Sequence, residues 1–156
     1  MKKMFFTVAL SATAFVQHGF AQDSANTQAS PLLTSYYQLK DALVSSNADA
    51  AATSASSFVK ALNDASKATV KEESRALLSD ATFISGTKDL KLQREKFAVL
   101  SVNMLAIARV LKFSGGPVYL QYCPMKKASW LSSNTVIKNP YYGNAMLTCG
   151  SVKETL

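Results

Sequence analysis

Leu90-Lys91-Leu92-Gln93-Arg94-Glu95-Lys96-Phe97-Ala98-Val99-Leu100-Ser101-Val102-Asn103-Met104-Leu105-Ala106-Ile107-Ala108-Arg109-Val110-Leu111 is the longest periodic run in the chain, and Ser114-Gly115-Gly116 ends it. Leu90, Phe97, Leu100, Met104, Ile107 and Leu111 recur in heptad-like steps, the mark of a helix with one apolar face. A helix over about 88–113 is expected, with Thr87 or Asp89 starting it and the glycines stopping it. A helix this long with one apolar face needs other helices to cover that face.

Three shorter segments upstream supply them. Val70, Leu77, Ala81 and Ile84 share one face of a third helix, about 69–85, which Gly86 ends. The alanine-rich segment before it carries Ala51, Ala55, Phe58, Leu62 and Ala65 at three- and four-residue steps. Its low complexity therefore reads as a close-packing helix over about 49–67 and not as a linker. Leu32, Tyr36, Leu39 and Leu43 place a first helix at about 31–46, with Ser30 as N-cap and Pro31 at the first helical position. Asn47 suits a left-handed C-terminal cap and Asp49 a cap for the second helix. Four amphipathic helices with short turns imply an antiparallel up-down bundle.

Beyond the glycines the period changes. Pro117-Val118-Tyr119-Leu120-Gln121-Tyr122 reads as a short extended run, and Pro124, Pro140, Gly143 and Gly150 impose turns. The expected fold is all-α: a four-helix bundle within a single domain over 31–156, with an irregular Cys- and aromatic-rich C-terminal arm over 117–156 folded onto it. An irregular segment this long in a small domain points to function or to a disulfide tie.

The chain opens with Met1-Lys2-Lys3, an apolar run from Met4 to Val16, and Gly19-Phe20-Ala21, which match the three regions of a secretory signal peptide. Cleavage near Ala21 is expected, followed by a disordered polar lead over 22–30. The apolar run is too short to span a bilayer, and no transmembrane segment is expected in the mature chain. Its loss removes His18, the only histidine of the 156 residues. Ser-His and Cys-His nucleophiles, histidine acid/base work and His-ligated zinc are then excluded.

Seventeen Lys/Arg against ten Asp/Glu give a net charge of +7, which falls to +5 once Lys2 and Lys3 are cleaved. Lys112, Lys126, Lys127, Lys138 and Lys153 against Glu154 place most of it in the C-terminal stretch. Basic residues interleaved with Tyr119, Tyr122, Trp130, Tyr141 and Tyr142 would indicate nucleic acid in a cytosolic protein. Export redirects this to anionic partners or lipid head groups, with no nucleic acid.

The arm gathers both cysteines, two of the five methionines and the one tryptophan. Cys123, Met125, Met146 and Cys149 form a soft-donor set of two thiols and two thioethers, which selects copper(I) or another thiophilic ion. Cys123 and Cys149 alternatively close a structural disulfide, the first reading of two cysteines in an oxidising compartment. A redox-active pair is a third possibility, with Lys126 and Lys127 lowering the pKa of Cys123. Met104 follows the helical period and is core. Trp130, Tyr141 and Tyr142 either anchor the arm through apolar area or form a patch for a protein partner.

Asp64, Glu72, Glu73 and Asp80 make no acid/base pair. Glu95 with Lys91, Arg94 and Lys96 reads as a charged helix face, with Arg94 placed for an ion pair toward the arm. No phosphate loop, serine elbow or zinc spacing appears, so no enzymatic activity is expected.

Tyr122-Cys123-Pro124-Met125, the run Asn139-Pro140-Tyr141-Tyr142-Gly143-Asn144-Ala145-Met146-Leu147-Thr148-Cys149-Gly150, and the upstream Ile84-Ser85-Gly86-Thr87-Lys88-Asp89 and Gln93-Arg94-Glu95-Lys96-Phe97 resemble a family of small bacterial periplasmic domains of unknown function, DUF3347, over roughly residues 32 to 156. The resemblance implies context: small exported proteins, and modules attached to periplasmic adaptor subunits of heavy-metal efflux pumps. Such an efflux component, or another periplasmic protein, is the partner it implies. Lys126-Lys127-Ala128-Ser129 before Trp130 departs from the family pattern, a short basic connection that opposes a cation at this loop.

Overall fold

The computed structural model describes residues 30–65, 71–111, 113 and 115–156. The expected signal peptide, the polar lead as far as residue 29, and the expected turn into the third helix with Thr69 and Val70 lie outside the described residues.

Four helices run in order: α1 Pro31–Val44, α2 Ala48–Ala65, α3 Lys71–Ser85 and α4 Leu90–Leu111. Each packs on the next in sequence, and the apolar stripes meet in one core. Leu32, Tyr36, Leu39 and Leu43 of α1 are buried with Ala51, Ala55, Phe58 and Leu62 of α2, Leu77, Ala81 and Ile84 of α3, and Phe97, Leu100, Met104 and Ile107 of α4. Ala65 and Leu111, at the ends of their stripes, are exposed.

The connections differ from the expected caps by one residue. Ser46, not Asn47, takes the left-handed conformation after α1, at φ 54°. Asn47 instead caps α2, its Oδ1 accepting from the Ala50 N–H at 2.9 Å, and Asp49 is left to pair with Lys88 at 2.6 Å. Ser30 makes no side-chain cap bond, although Pro31 sits in the first turn of α1. Asp89 caps α4 through the Lys91 and Leu92 N–H groups at 2.9 and 3.2 Å. Gln93, fully buried, ties this end of the helices together. Its Nε2 donates to Ala48 O at 3.0 Å and to Thr87 O at 2.7 Å.

The all-α expectation is overturned by the C-terminal region, which folds as a three-stranded antiparallel sheet and makes the domain mixed α/β. β1 Tyr119–Cys123, β2 Ala128–Ser132 and β3 Ser151–Thr155 lie in the order β2-β1-β3. β1 and β2 form a hairpin with Tyr119 opposite Ser132 and Cys123 opposite Ala128. Lys127, at φ 55°, turns the chain back into β2. β3 returns to the other edge of β1, with an irregularity between Leu120 and Gln121.

The sheet enters the helical layer. The backbones of α1 and α4 stand apart and meet through side chains, and β2 lies against α4 in the place a closed bundle would give to α1. Tyr36 spans the gap: its hydroxyl bonds Ser101 Oγ of α4 at 2.8 Å and accepts from the Leu131 N–H of β2 at 3.0 Å. Five-residue strands are enough because they close the open side of a helix array that supplies the rest of the core.

Candidate functional site

Cys123 is the last residue of β1, and Cys149 immediately precedes the glycine that leads into β3. The β1–β3 ladder pairs Tyr122 with Ser151, so continuing it beyond that pair brings the 149–150 segment alongside Cys123. The two Sγ atoms lie 3.6 Å apart, and both thiols are free. Cys123 is buried and Cys149 half-buried.

Gly150 makes this approach possible. It sits at φ +154°, and a Cβ there would lie 2.9 Å from Trp130 Cη2 and 3.0 Å from Tyr122 O. Any side chain at 150 would push Cys149 away from β1.

Asn139, fully buried, holds the other side of the segment. Its Nδ2 donates to Cys149 O at 2.8 Å, and its Oδ1 accepts from the Tyr141 N–H at 2.8 Å. Its backbone N–H donates to Leu147 O at 2.8 Å, and its carbonyl accepts from the Gly143 N–H at 3.2 Å. The loop 139–149, with one 3-10 turn at Gly143–Met146, is thus wrapped around one amide side chain.

Arg94 fastens this loop to the helices. Its Nε donates to Pro140 O at 3.0 Å, and its Nη2 donates to Leu43 O at 3.0 Å and Ser46 Oγ at 2.8 Å. The sequence placed Arg94 toward the arm as half of an ion pair, and its acceptors are carbonyls and a hydroxyl. Partial desolvation lowers its pKa. Gly143, at φ +54°, lies against this cluster, where a Cβ would meet Ser46 Oγ at 2.5 Å and Arg94 Nη2 at 2.7 Å.

The hydrogen bond with Cys123 raises the pKa of Cys149, partial burial and the charge on Cys123 raise it further, and the Met125 backbone amide acts in the opposite sense. The Lys126 N–H points at Cys123 Sγ, 3.4 Å away. The turn between β1 and β2 therefore directs a backbone amide at the Cys123 sulfur.

Of the sulfur set, the structure brings the two cysteines together. Met125 sits on the hairpin turn with its side chain 62 % exposed, and Met146 is half-buried at the end of the 3-10 turn. Among the described residues no three His, Cys, Asp or Glu side chains cluster, so a metal at this pair draws any further protein donor from thioether or backbone. A cavity of 310 Å³ lined by Ala108, Arg109, Phe113, Val118 and Leu156 lies elsewhere.

The aromatic residues sort differently from a partner-facing patch. Trp130 is fully buried and Tyr141 is 4 % exposed. Their rings meet edge to face at 5.8 Å, and Tyr141 packs on Phe97 at 6.1 Å. The Tyr141 hydroxyl donates to Ser129 O, and burial holds its pKa well above the ordinary phenol value. Both rings anchor the arm to the core, and Tyr142 alone of the three keeps part of its surface in water. Asn139 and Gln93 stood in the sequence only within longer motifs and were given no role of their own. Asn139-Pro140 signalled a turn, and nothing in it told that the amide would be the turn's interior.

A family model described as "Protein of unknown function (DUF3347)" matches residues 32–114, just over half of the chain. The chain belongs to the DUF3347 family. The match spans the four helices and stops before β1, so it is shorter than the resemblance over 32 to 156 and does not include the sulfur pair. Neither a curated protein nor a solved structure matches the chain. Membership in DUF3347 carries no activity with it.

Proposed function

We propose that this DUF3347 protein is an exported, non-enzymatic binder of a thiophilic metal ion, copper(I) above others, held by Cys123 and Cys149 with Met125 and Met146 as the available thioethers. The observation that carries the reading is the 3.6 Å separation of two free sulfurs. Two sulfurs at that distance, each roughly 2.3 Å from one ion as in metal–thiolate bonds, subtend about 100° at it, an ordinary ligand angle. The soft donors favour copper(I) over hard cations.

The basic turn fits this reading once the charge of the product is counted. Two thiolates around a monovalent ion carry a net negative charge, which Lys126 and Lys127 offset. The resemblance of the family to efflux-adaptor modules makes a heavy-metal efflux component the first partner to try. The signal-peptide-like N-terminal sequence supports a process outside the cytoplasm, and intact mass of secreted material beginning at Gln22 tests that.

The same proximity favours a second reading, a disulfide-stabilised interaction module without metal. Closing the sulfurs to about 2.05 Å is a small movement, and such a bond typically adds roughly 3 kcal/mol. One experiment separates the two: a thiol count followed by a copper(I) competition titration against a chelator. Reduced wild-type protein should take up one copper(I), Cys123→Ser with Cys149→Ser none, and Met125→Leu with Met146→Leu less tightly than wild type. Wild-type affinity no greater than that of the double-serine variant ends the metal reading.

A further inference from the structure

Access to the two sulfurs is unequal. Cys123 has no exposed surface. Ala128 stands opposite it on β2, the Lys126 N–H points at its Sγ from the turn at 3.4 Å, and Cys149 Sγ lies 3.6 Å away. Cys149 keeps part of its surface in water, in a segment whose Thr148 and Ser151 are exposed. A solute arriving from water therefore meets Cys149 and not Cys123.

The sulfurs are too far apart for a bond and close enough to form one. Reaching the roughly 2.05 Å of a disulfide takes about 1.5 Å of approach. The segment that carries Cys149 is held while this happens: Asn139 Nδ2 donates to Cys149 O at 2.8 Å, and Gly150 fits where a Cβ would meet Trp130 Cη2 and Tyr122 O. A group attached to Cys149 from the water side therefore leaves its sulfur beside Cys123. Thiol–disulfide exchange asks for this arrangement, with one sulfur within reach of a disulfide and a second, sheltered one next to it. The chain has two cysteines in all, so no third thiol competes for the adduct.

We infer that Cys149 exchanges with a small organic disulfide and that Cys123 resolves the adduct, so that the pair alternates between a metal-binding dithiol and a closed disulfide that holds no metal. In the first step the Cys149 sulfur, its proton released to water, attacks one sulfur of the disulfide RSSR. A Cys149–SR mixed disulfide forms, and the RS⁻ that leaves takes up a proton. In the second step the Cys123 sulfur, deprotonated in the same way, attacks Cys149 Sγ, closes the Cys123–Cys149 bond and expels the second RS⁻, which is protonated in turn. The protein dithiol loses two electrons and two protons, and RSSR gains both to become two RSH; excess RSH runs the sequence backwards. With copper(I) on the pair, the two electrons come from the bound thiolates, two protons come from water, and the ion is released with its valence unchanged. The release rests on the metal reading of the pair, whereas the order of exchange does not.

Acid-quenched mass spectrometry of the reduced, metal-free protein with bis(2-hydroxyethyl) disulfide tests the order. Wild type should end as the internal disulfide, lighter by the hydrogens lost. Cys123→Ser should stop at a stable adduct on Cys149, and Cys149→Ser should form its adduct at least about tenfold more slowly, because access limits the reaction of a buried thiol. Since a replacement at the buried position 123 can itself loosen the arm, wild type is also treated with substoichiometric iodoacetamide. Peptide mapping should then place the label on Cys149 in about tenfold excess over Cys123. Equal labelling, a Cys149→Ser variant that reacts as fast as Cys123→Ser, or a wild type that accumulates the adduct without closing overturns the inference. Copper(I) titrations against a chelator on the reduced and the oxidised wild type test the release, and the oxidised form should bind at least about 100-fold more weakly because it has lost both thiolates. Measurable and equal affinity in both forms overturns the release. A reduced protein that binds no copper(I) while the exchange order holds ends the metal reading and leaves the exchange standing.

Discussion

Replacing Asn139 by leucine should detach the loop that carries Cys149 while leaving the helices folded. Asn139 is fully buried, and leucine is close to it in size, so packing is nearly conserved and the loss is polar. The Tyr141 N–H gives up its acceptor at 2.8 Å. Tyr141 is only 4 % exposed, so water does not replace the lost oxygen, and an orphaned buried donor costs about 1–3 kcal/mol. The Cys149 carbonyl gives up its donor at 2.8 Å, but Cys149 is half-buried and its oxygen is nearer to solvent, so about 0.5–1.5 kcal/mol is the appropriate figure there. Together the loss is about 2–4 kcal/mol, which for a domain of this size lowers the melting temperature by about 6 to 20 °C.

Urea unfolding followed by helical circular dichroism measures the first quantity, with an unchanged slope showing that the same surface is exposed. The rate of Cys149 with an aromatic disulfide reagent measures the second and should rise, because the segment no longer holds Sγ against Cys123. A stability loss under about 0.5 kcal/mol, the level of an ordinary surface change, would refute the assignment of Asn139 as the interior of the loop. A full stability loss with unaltered Cys149 reactivity would refute its link to the sulfur pair.

Leu100→Ala removes a fully buried side chain from α4 and should cost about 2–5 kcal/mol in thermal or urea unfolding, with a value below about 0.5 kcal/mol contradicting the core described above. Gly143→Ala puts a Cβ at φ +54° against Ser46 Oγ and Arg94 Nη2. It should cost about 2–4 kcal/mol by backbone strain and displaced Arg94 hydrogen bonds, measured by the same unfolding curves. Stability should also fall in alkali. Burial raises the phenols of Tyr36, Tyr37 and Tyr141, and the Cys123 contact raises the Cys149 thiol. The unfolded chain therefore loses protons first, from about pH 8.5 for the thiol and about pH 10 for the phenols. The stabilisation is intact below those values and is lost as pH rises through them. A stability profile that stays level through pH 10 would contradict this.

The helices were legible because burial and period coincide in them. Leu32, Tyr36, Leu39 and Leu43 are all fully or nearly fully buried, and a 3.6-residue repeat reports that directly. The sheet was not legible, for a reason visible in its strands. In β2 the neighbours Trp130, Leu131 and Ser132 are all buried, because the strand is covered by the helices and by the loop that carries Tyr141, so alternation disappears. In β3 nearly every residue is exposed, because an edge strand outside the core shows no apolar pattern. β1 alone read as extended. The candidate site was legible as a set of residue types but not as a geometry: the approach of Cys123 to Cys149, 26 residues apart, depends on strand register and on Gly150. Trp130 and Tyr141 were ambiguous for the same cause, since aromatic content does not tell a core anchor from a docking patch until the neighbouring layer is placed.

The boundary of the family match gives this separation a physical meaning. DUF3347 is recognised over residues 32–114, and both sulfur-bearing cysteines lie beyond it. The matched helices nevertheless contain the groups that hold the arm in place. Tyr36 accepts from Leu131 of β2, Ser101 holds the Tyr36 hydroxyl, and Arg94 reaches Pro140 at the base of the Cys149 loop. None of these three is needed for a helix array to pack, because apolar residues at 36 and 101 would fill the same space and an arginine at 94 would simply be solvated. The Tyr36 hydroxyl and Arg94 Nε each find a further partner in the arm, and a buried polar group is favourable only where its partners are present. The helical part is therefore built around the sheet that follows it. The sulfur pair is a property of the whole domain, and its spacing is set as much by α1 and α4 as by the strand that carries Cys123.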